Sequence, residues 1–553
     1  MKRISESPVE WIKSNHPLTG CVAEAFWRNP AAWLGEHGQA LKTSGYQRET
    51  LAVTVDDSGQ QLIVKYFSLR GFAARLKWKL KQTAPQKEWE LLTYLHEQGI
   101  AVPCPLALGV QHNGSVVNVW LVLEYITGAV TFDQIRPVAS LADMTAAARG
   151  LADCIAKLHC AGVWHGDLHS GNLLFQPDTG KWIMADFQHA RRGNPRRTEL
   201  VNDLVQLQHC LGKKVPLGVR IVFLREYIKS FARLTSTEDE MAGDEWRLLF
   251  GEIRAKSTRY AIAQARKRRN RSLTGNREFA PLRDWLGSDA VPPQFENGWV
   301  VRSVSRQLMQ DVIELISDET WYLNPQIRLI KNTGSAAVGV LTHPQGTVFI
   351  KQFRYKPRLA DRFRLLRHSS KSHTAWRASW QLRHLHLPVP QPLLVAWTPT
   401  GGFLVQECIP DIMSCDNALR SLSAQAFPQQ RRKLIHAMAR EVSRMHDRAV
   451  AHNDLKGSNL IVSRVTAPDM RVYFIDVHPA SFHSYLPWSA RVKDLARLYA
   501  ALYPFCSAAE RRYFLRIYLK YQTEPVDIRQ LIMDVRERAE EKILQKHGIR
   551  LSS

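Results

Sequence analysis

Two octapeptides constrain this chain more than any other feature. His165-Gly166-Asp167-Leu168-His169-Ser170-Gly171-Asn172 precedes the apolar run Leu173-Leu174-Phe175, and His452-Asn453-Asp454-Leu455-Lys456-Gly457-Ser458-Asn459 precedes Leu460-Ile461-Val462. In both, an Asp follows a His by two positions and precedes an Asn by five. In both, a later apolar run ends on an acid, Trp182 to Asp186 and Val472 to Asp476. Upstream, a lysine sits within each of two strand-like runs, Ile63-Val64-Lys65-Tyr66-Phe67 and Phe349-Ile350-Lys351-Gln352-Phe353. Lys65 and Asp167 are 102 residues apart, and Lys351 and Asp454 are 103 apart. A chance recurrence of a short motif would not keep that register, so the chain reads as two homologous units.

The surrounding pattern repeats as well. Residues 51–55 and 62–67 read as strands joined by a turn, and residues 337–341 and 348–353 match them. A basic stretch follows in each half, 75–81 and 354–367, then a helix around Trp89 or Trp376. A proline-marked strand comes next, 101–109 or 388–396, and then an apolar strand closed by Glu124 or Glu407 at a hinge. A helix ending near His159 or His446 leads into the octapeptide. Turn-forming residues cluster at 288–293. The expected organisation is an N-terminal helical segment over 1–40, a first domain over 41–287, a linker over 288–300 and a second domain over 301–553.

At 553 residues the chain exceeds one ordinary core. Its 45% hydrophobic and 23% charged content is that of a globular protein. No run of about 18 uncharged apolar residues predicts a transmembrane helix. The N-terminus, MKRISESPVEWIK, lacks the apolar core of a signal peptide. The eight cysteines are scattered without metal-ligand spacing and read as reduced thiols. Lys and Arg number 75 against 51 Asp and Glu, a formal charge of +24, which favours an anionic partner: nucleic acid, an acidic membrane face or a phosphorylated substrate.

Phosphoryl transfer needs a metal to bridge phosphates, a cation to orient them and an acceptor for the hydroxyl proton. Asp167 and Asp454 are placed for the proton. Asn172 and Asp186, with Asn459 and Asp476, are placed for magnesium. Lys65 and Lys351 are placed for ATP phosphates, and Glu88 is the natural carboxylate for Lys65, since an unpaired buried ammonium is costly. Aligning Trp376 with Trp89 puts Ala375 where Glu88 stands, so Lys351 is expected to lack that partner. Other readings of single residues are structural: His165 braces the loop and Trp78 belongs to a packed face, while residues 266–271 read either as a solvated basic helix end or as a site for nucleic acid or an anionic surface. Charge alone points to nucleic acid, which is therefore disfavoured as a partner.

With Lys, Glu, His-x-Asp-x-x-x-x-Asn and Asp in order, the first half resembles the protein-kinase-like superfold; the second half resembles it without the Glu. The chain most resembles the lipopolysaccharide kinase family, which phosphorylates heptose or Kdo sugars of the inner core. Glu88-Trp89, the run Gly99 to Pro103 and the basic insert between lysine strand and helix carry the resemblance. It implies an α+β fold of two tandem bilobal kinase-like domains, each with a β-rich N-lobe and a helical C-lobe. It also implies ATP and Mg2+, a lipopolysaccharide core or other sugar acceptor, and work at the cytoplasmic face of the inner membrane. The inserts at 75–81 and 354–367 would meet phosphorylated glycolipid or anionic headgroups. The first octapeptide is also similar to aminoglycoside and choline phosphotransferase loops. A small-molecule kinase, a protein kinase and a pseudokinase scaffold with at most one active domain are the alternatives. Against a protein substrate, His169 replaces the usual lysine, and only 17 residues separate Asp186 from Asp203, and 18 separate Asp476 from Asp494. That leaves no room for a full activation loop. Neither half has a complete glycine-rich loop; Gly334 and Gly339 are the partial match in the second. The acids are followed by Phe187-Gln188 and Val477-His478, without the usual glycine.

Overall fold

The computed structural model describes residues 9–14, 24–44, 48–54, 61–70, 76, 78, 80, 83–113, 116–135, 140–211, 214–236, 245–295, 297–354, 370–398, 401–423, 426–522 and 527–547. The basic insert residues Lys77, Lys79, Lys81 and 355–367 lie outside them. The chain divides into two compact units, Met1–Tyr260 and Ala261–Ser553, and both mix helix and sheet.

In the first unit an antiparallel sheet runs in the order Glu10–Ser14, Pro105–Asn113, Val116–Glu124, Gln61–Arg70, Arg48–Thr54, Gly38–Ser44. The lysine strand Gln61–Arg70 lies inside this sheet, with Lys65 opposite Thr50 on one side and Leu121 on the other. Alternation sends Leu62 and Val64 to one face, where they pack with Leu51, Val53, Trp120 and Val122. Phe67 faces the other way and joins Trp89, Leu92 and Leu121. Lys65 shares that second face. Beneath it lies the helix Ala84–Glu97, started by Thr83 and Gln86 in a capping box with a proline in its first turn. Its spacing buries Glu88, Leu91, Leu92 and Leu95 on one side, so Glu88 arrives under the lysine strand by helical period. Helices Leu141–Cys160, Arg197–Leu211 and Leu217–Thr235 complete this core around Ile155, Leu204 and Tyr227.

The second unit repeats the plan. Its sheet runs Phe279–Pro281, Asn297–Val301, Pro392–Thr398, Gly401–Glu407, Gly346–Arg354, Ala336–His343, Ile327–Thr333. Lys351 stands opposite Val338 and Leu404, the places of Thr50 and Leu121. The helix Lys371–His384 matches Ala84–Glu97, and Pro428–Asp447, Trp488–Leu502 and Ala508–Lys520 match the three helices named above. The hinge glutamates correspond in detail: Glu124 accepts a hydrogen bond from the Cys104 amide at 3.1 Å, and Glu407 from the Gln391 amide at 2.8 Å.

The structure moves the expected boundaries. The first 40 residues are not simply helical: besides the short helices Glu24–Arg28 and Pro30–His37 they hold the edge strand Glu10–Ser14. Glu10 pairs with Val110, and 287 residues later Asn297 pairs with Trp397. The end of the segment expected as a linker, 297–300, is therefore the second unit's counterpart of that edge strand, while Ser288–Ala290 at its start forms a 3-10 turn. Both strands are short and are specified by the neighbour they pair with. Gly109 allows the first of them to approach, because a Cβ there would come within 2.7 Å of Val9 and 2.8 Å of Trp11. Gly339 is likewise a packing residue and not part of a nucleotide-covering loop. It lies within the strand Ala336–His343, and a Cβ on it would meet Ile327 at 2.6 Å.

Candidate active site

The first octapeptide leaves the strand Val163–Trp164, makes one 3-10 turn at Ser170–Asn172 and enters the strand Leu173–Gln176, which pairs with Lys181–Met184. That second strand delivers Asp186 in a left-handed conformation with φ 64°. The loop is held from behind. Asp203, buried to 1% exposure, accepts hydrogen bonds from the amides of His165 at 2.6 Å and Gly166 at 2.8 Å. Gln206 accepts from the Leu168 amide at 2.8 Å and donates to the Gly166 carbonyl at 3.0 Å. His165 braces the loop as expected: its Nε2 lies 3.0 Å from the Ala185 carbonyl, and burial pushes its pKa down, keeping it neutral.

Lys65 is 5% exposed and its Nζ is shared between Glu88 at 2.6 Å and Asp186 at 3.1 Å. One buried ammonium thus faces two carboxylates. Asn172 spends its amide nitrogen on the Asp167 carbonyl at 3.0 Å, so its oxygen is the atom left for a cation. Asp186 and Asn172 make an oxygen donor set of the kind magnesium takes. Asp167 is more open, 43% exposed at its side chain, and its nearest ionic neighbour is His169 Nε2 at 3.8 Å. The Gly171 amide donates to His169 Nδ1 at 3.0 Å, which leaves the proton of the neutral ring on Nε2, facing Asp167.

The second unit keeps the frame and changes the charges. Asp494 accepts from the amides of His452 at 2.6 Å and Asn453 at 3.0 Å, and His452 Nε2 lies 3.2 Å from the Ile475 carbonyl. Asn453 takes the left-handed position of Gly166 and secures it by donating to the Pro479 carbonyl at 3.0 Å. Ala375 stands at the place of Glu88, as the alignment of tryptophans implied. Lys351 turns instead to Asp476 at 2.7 Å, and His478 Nδ1 reaches the same oxygen at 2.8 Å. Burial alone would raise the Asp476 pKa, but these two partners hold it well below the carboxylate range. Asp454 Oδ2 receives both Lys456 Nζ and Asn459 Nδ2 at 2.9 Å. These carboxylates already serve cations and donors of the chain itself, which suits magnesium poorly. In the first unit Gln188, at the place of His478, has a buried Nε2 without a hydrogen bond among the described residues.

The anchors Asp203 and Asp494 were not assigned a role from the sequence. The signal was present: each opens an Asp-Leu-x-x-Leu run at similar distance from its octapeptide.

The lipopolysaccharide kinase (Kdo/WaaP) family model matches residues 24–224 and 360–518, more than half of the chain. The chain belongs to this family. In this Kdo/WaaP-family chain the first match takes in Lys65, Glu88, Asp167, Asn172 and Asp186, while the second begins after Lys351 and takes in Asp454, Asn459 and Asp476. A 3-deoxy-D-manno-octulosonic acid kinase of Stenotrophomonas maltophilia (strain R551-3) is 28% identical over 174 residues, covering 29% of this chain and 65% of its own. The corresponding protein of Vibrio cholerae serotype O1 is 30% identical over 104 residues, 19% of this chain and 43% of its own. The Kdo/WaaP chain thus spans less than two thirds of the length of these curated relatives. A solved structure described as WaaP in complex with acyl carrier protein aligns with 40% of this chain and 88% of that one, at 18% identity and a TM-score of 0.30, too low to bear on the fold.

Proposed function

We propose that this chain is an ATP-dependent phosphotransferase that phosphorylates a sugar hydroxyl, of heptose or Kdo, in the lipopolysaccharide inner core. In this reading the chain is two tandem kinase-like domains, each with a sheet-rich and a helical lobe. The observation that carries it is the buried lysine shared by Glu88 and Asp186, in a unit that also presents the open carboxylate of Asp167. ATP with magnesium supplies the electrophilic phosphoryl group. Lys65, held by Glu88, orients the phosphates; Asn172 and Asp186 hold the metal; Asp167 accepts the acceptor hydroxyl's proton. Lys351, Asp454, Asn459 and Asp476 occupy the same positions in a second nucleotide cleft. The 17-residue span from Asp186 to Asp203 supports a sugar over a protein acceptor. The net charge of +24 supports attachment to an anionic membrane face. Among the described residues no helix is long and apolar enough to cross a membrane.

The test is transfer of labelled phosphate from ATP to a Kdo- or heptose-bearing core acceptor. Wild type, Asp167→Ala and Asp454→Ala are compared. Asp167→Ala should lower turnover by about a hundredfold or more. Full activity in both variants would refute the catalytic reading. Replacing Lys77, Lys79 and Lys81 by Glu should release the protein from anionic vesicles; unchanged binding would remove the membrane part.

A further inference from the structure

The second unit carries a well-formed cleft of 400 Å³. Val338, Leu404 and Phe474 line it as an apolar slot, and Lys351, Asp476 and His478 line its polar end. A slot for a flat base beside a cationic end is the shape that a nucleoside polyphosphate requires.

The helix Lys371–His384 shows how this cleft departs from the first. Three residues on one of its faces, spaced four apart, line the cleft: Lys371, Ala375 and Ser379. The matching positions of Ala84–Glu97 hold Ala84, Glu88 and Leu92. Each exchange makes the second cleft more receptive to an anion. A cation is added at the exposed rim, a buried carboxylate is removed, and a hydroxyl replaces a hydrocarbon. Ser379 is 1% exposed, and its hydroxyl has no hydrogen-bond partner among the described residues. A buried hydroxyl left unpaired is costly unless a ligand takes it up.

Local charge points the same way. In the first unit one lysine faces two carboxylates. In the second, Asp476 is the one carboxylate that Lys351 faces among the described residues, and His478 binds the same carboxylate oxygen. Magnesium demands carboxylate oxygens stripped of competing donors and set in octahedral order. Lys351 at 2.7 Å and His478 Nδ1 at 2.8 Å both compete for that oxygen, closer than the 3.1 Å between Lys65 and Asp186 in the first unit. The same ammonium is a ready partner for a phosphate.

We infer that the second unit's cleft binds a nucleoside polyphosphate without a divalent metal, its phosphates met by Lys351, Lys371 and His478. The inference takes the nucleotide class from the proposed kinase reading and its metal independence from the geometry of this cleft.

The test is calorimetric titration of the full chain with a non-hydrolysable ATP analogue, first in EDTA and then with magnesium. One analogue per chain should bind in EDTA, and magnesium should add a second. Lys351→Ala should weaken the EDTA-resistant binding at least tenfold and leave the magnesium-dependent event in place. Lys371→Ala changes an exposed side chain, so its fold is not at risk, and it should weaken the same event severalfold. Absence of binding in EDTA would overturn the inference. So would EDTA-resistant binding that survives Lys351→Ala and Lys371→Ala but is lost in Lys65→Ala, since the first cleft would then be its seat. The titration reads binding and not transfer, so its outcome is separate from whether a sugar is phosphorylated.

Discussion

Asp203 offers the sharpest test of how the first octapeptide is held, because it lies on a helix well outside it. Its two oxygens take the amides of His165 and Gly166 at 2.6 and 2.8 Å in a site where His165 has no exposure. Asp203→Ala leaves one buried and one part-buried amide without acceptors, at about 1–3 kcal/mol each. Removing the carboxylate also relieves its own burial, so a net loss of about 3 kcal/mol is expected for the closed loop. At about 1.4 kcal/mol per factor of ten, the amides of residues 165 and 166 should exchange hydrogen on the order of a hundredfold faster. Asp203→Asn keeps one accepting oxygen and should lose about half as much. Hydrogen exchange read by mass spectrometry on the peptide spanning the octapeptide measures this directly. Asp494→Ala should do the same at 452–453 while leaving 165–166 unchanged. Unaltered exchange at 165–166 in a folded Asp203→Ala protein would refute the reasoning. Phosphate transfer should also fall in that variant.

Lys65→Ala strands Glu88 at 1% exposure without its cation, and should cost about 3–5 kcal/mol in the first unit's urea transition, with Lys65→Ala/Glu88→Leu recovering much of it. Trp376 is fully buried against Phe279 and Trp380, so Trp376→Ala should lower the second unit's stability by about 3–5 kcal/mol and leave the first unit's transition in place. Burial, with Arg268 and Arg383 nearby, pushes the His384 pKa down to about 4. The unfolded chain therefore takes up this proton first: the stabilisation is complete above about pH 6.5 and is lost as pH falls towards 4. Thermal midpoints at pH 7 and pH 5 should drop less for His384→Gln than for wild type.

The parts of the fold that the sequence disclosed are those where a chemical residue type is tied to a fixed spacing. Lys65 and Lys351 came forward because a lysine within an apolar strand is conspicuous, and Glu88 because helical period carries it to the same face. The loss of that partner at Ala375 was legible from one tryptophan alignment. What replaces it was not, because the Lys351–Asp476 and His478–Asp476 contacts depend on side-chain directions. The edge strands were hidden for another reason. Glu10–Ser14 carries no apolar run, and Asn297–Val301 follows Pro292-Pro293, so turn chemistry masked a strand whose pairing is supplied by its neighbour. Asp203 stayed unassigned because its partners are backbone amides nearly 40 positions away, and amides leave no mark in a sequence.

In both halves the aspartate two residues past a strand end has positive φ, 64° at Asp186 and 57° at Asp476. Glycine would sit there with less strain, and replacing a strained non-glycine residue by it is worth on the order of 1 kcal/mol. At Asp186, where Glu88 would still pair Lys65, a directed-evolution campaign scored on melting temperature alone would therefore drift towards glycine and discard the acid from the first cleft, whereas at Asp476 glycine would also strand Lys351 and His478. Screening for a thermostable form of this chain needs a ligand-binding readout beside the thermal one, or the variants it enriches will be robust and empty.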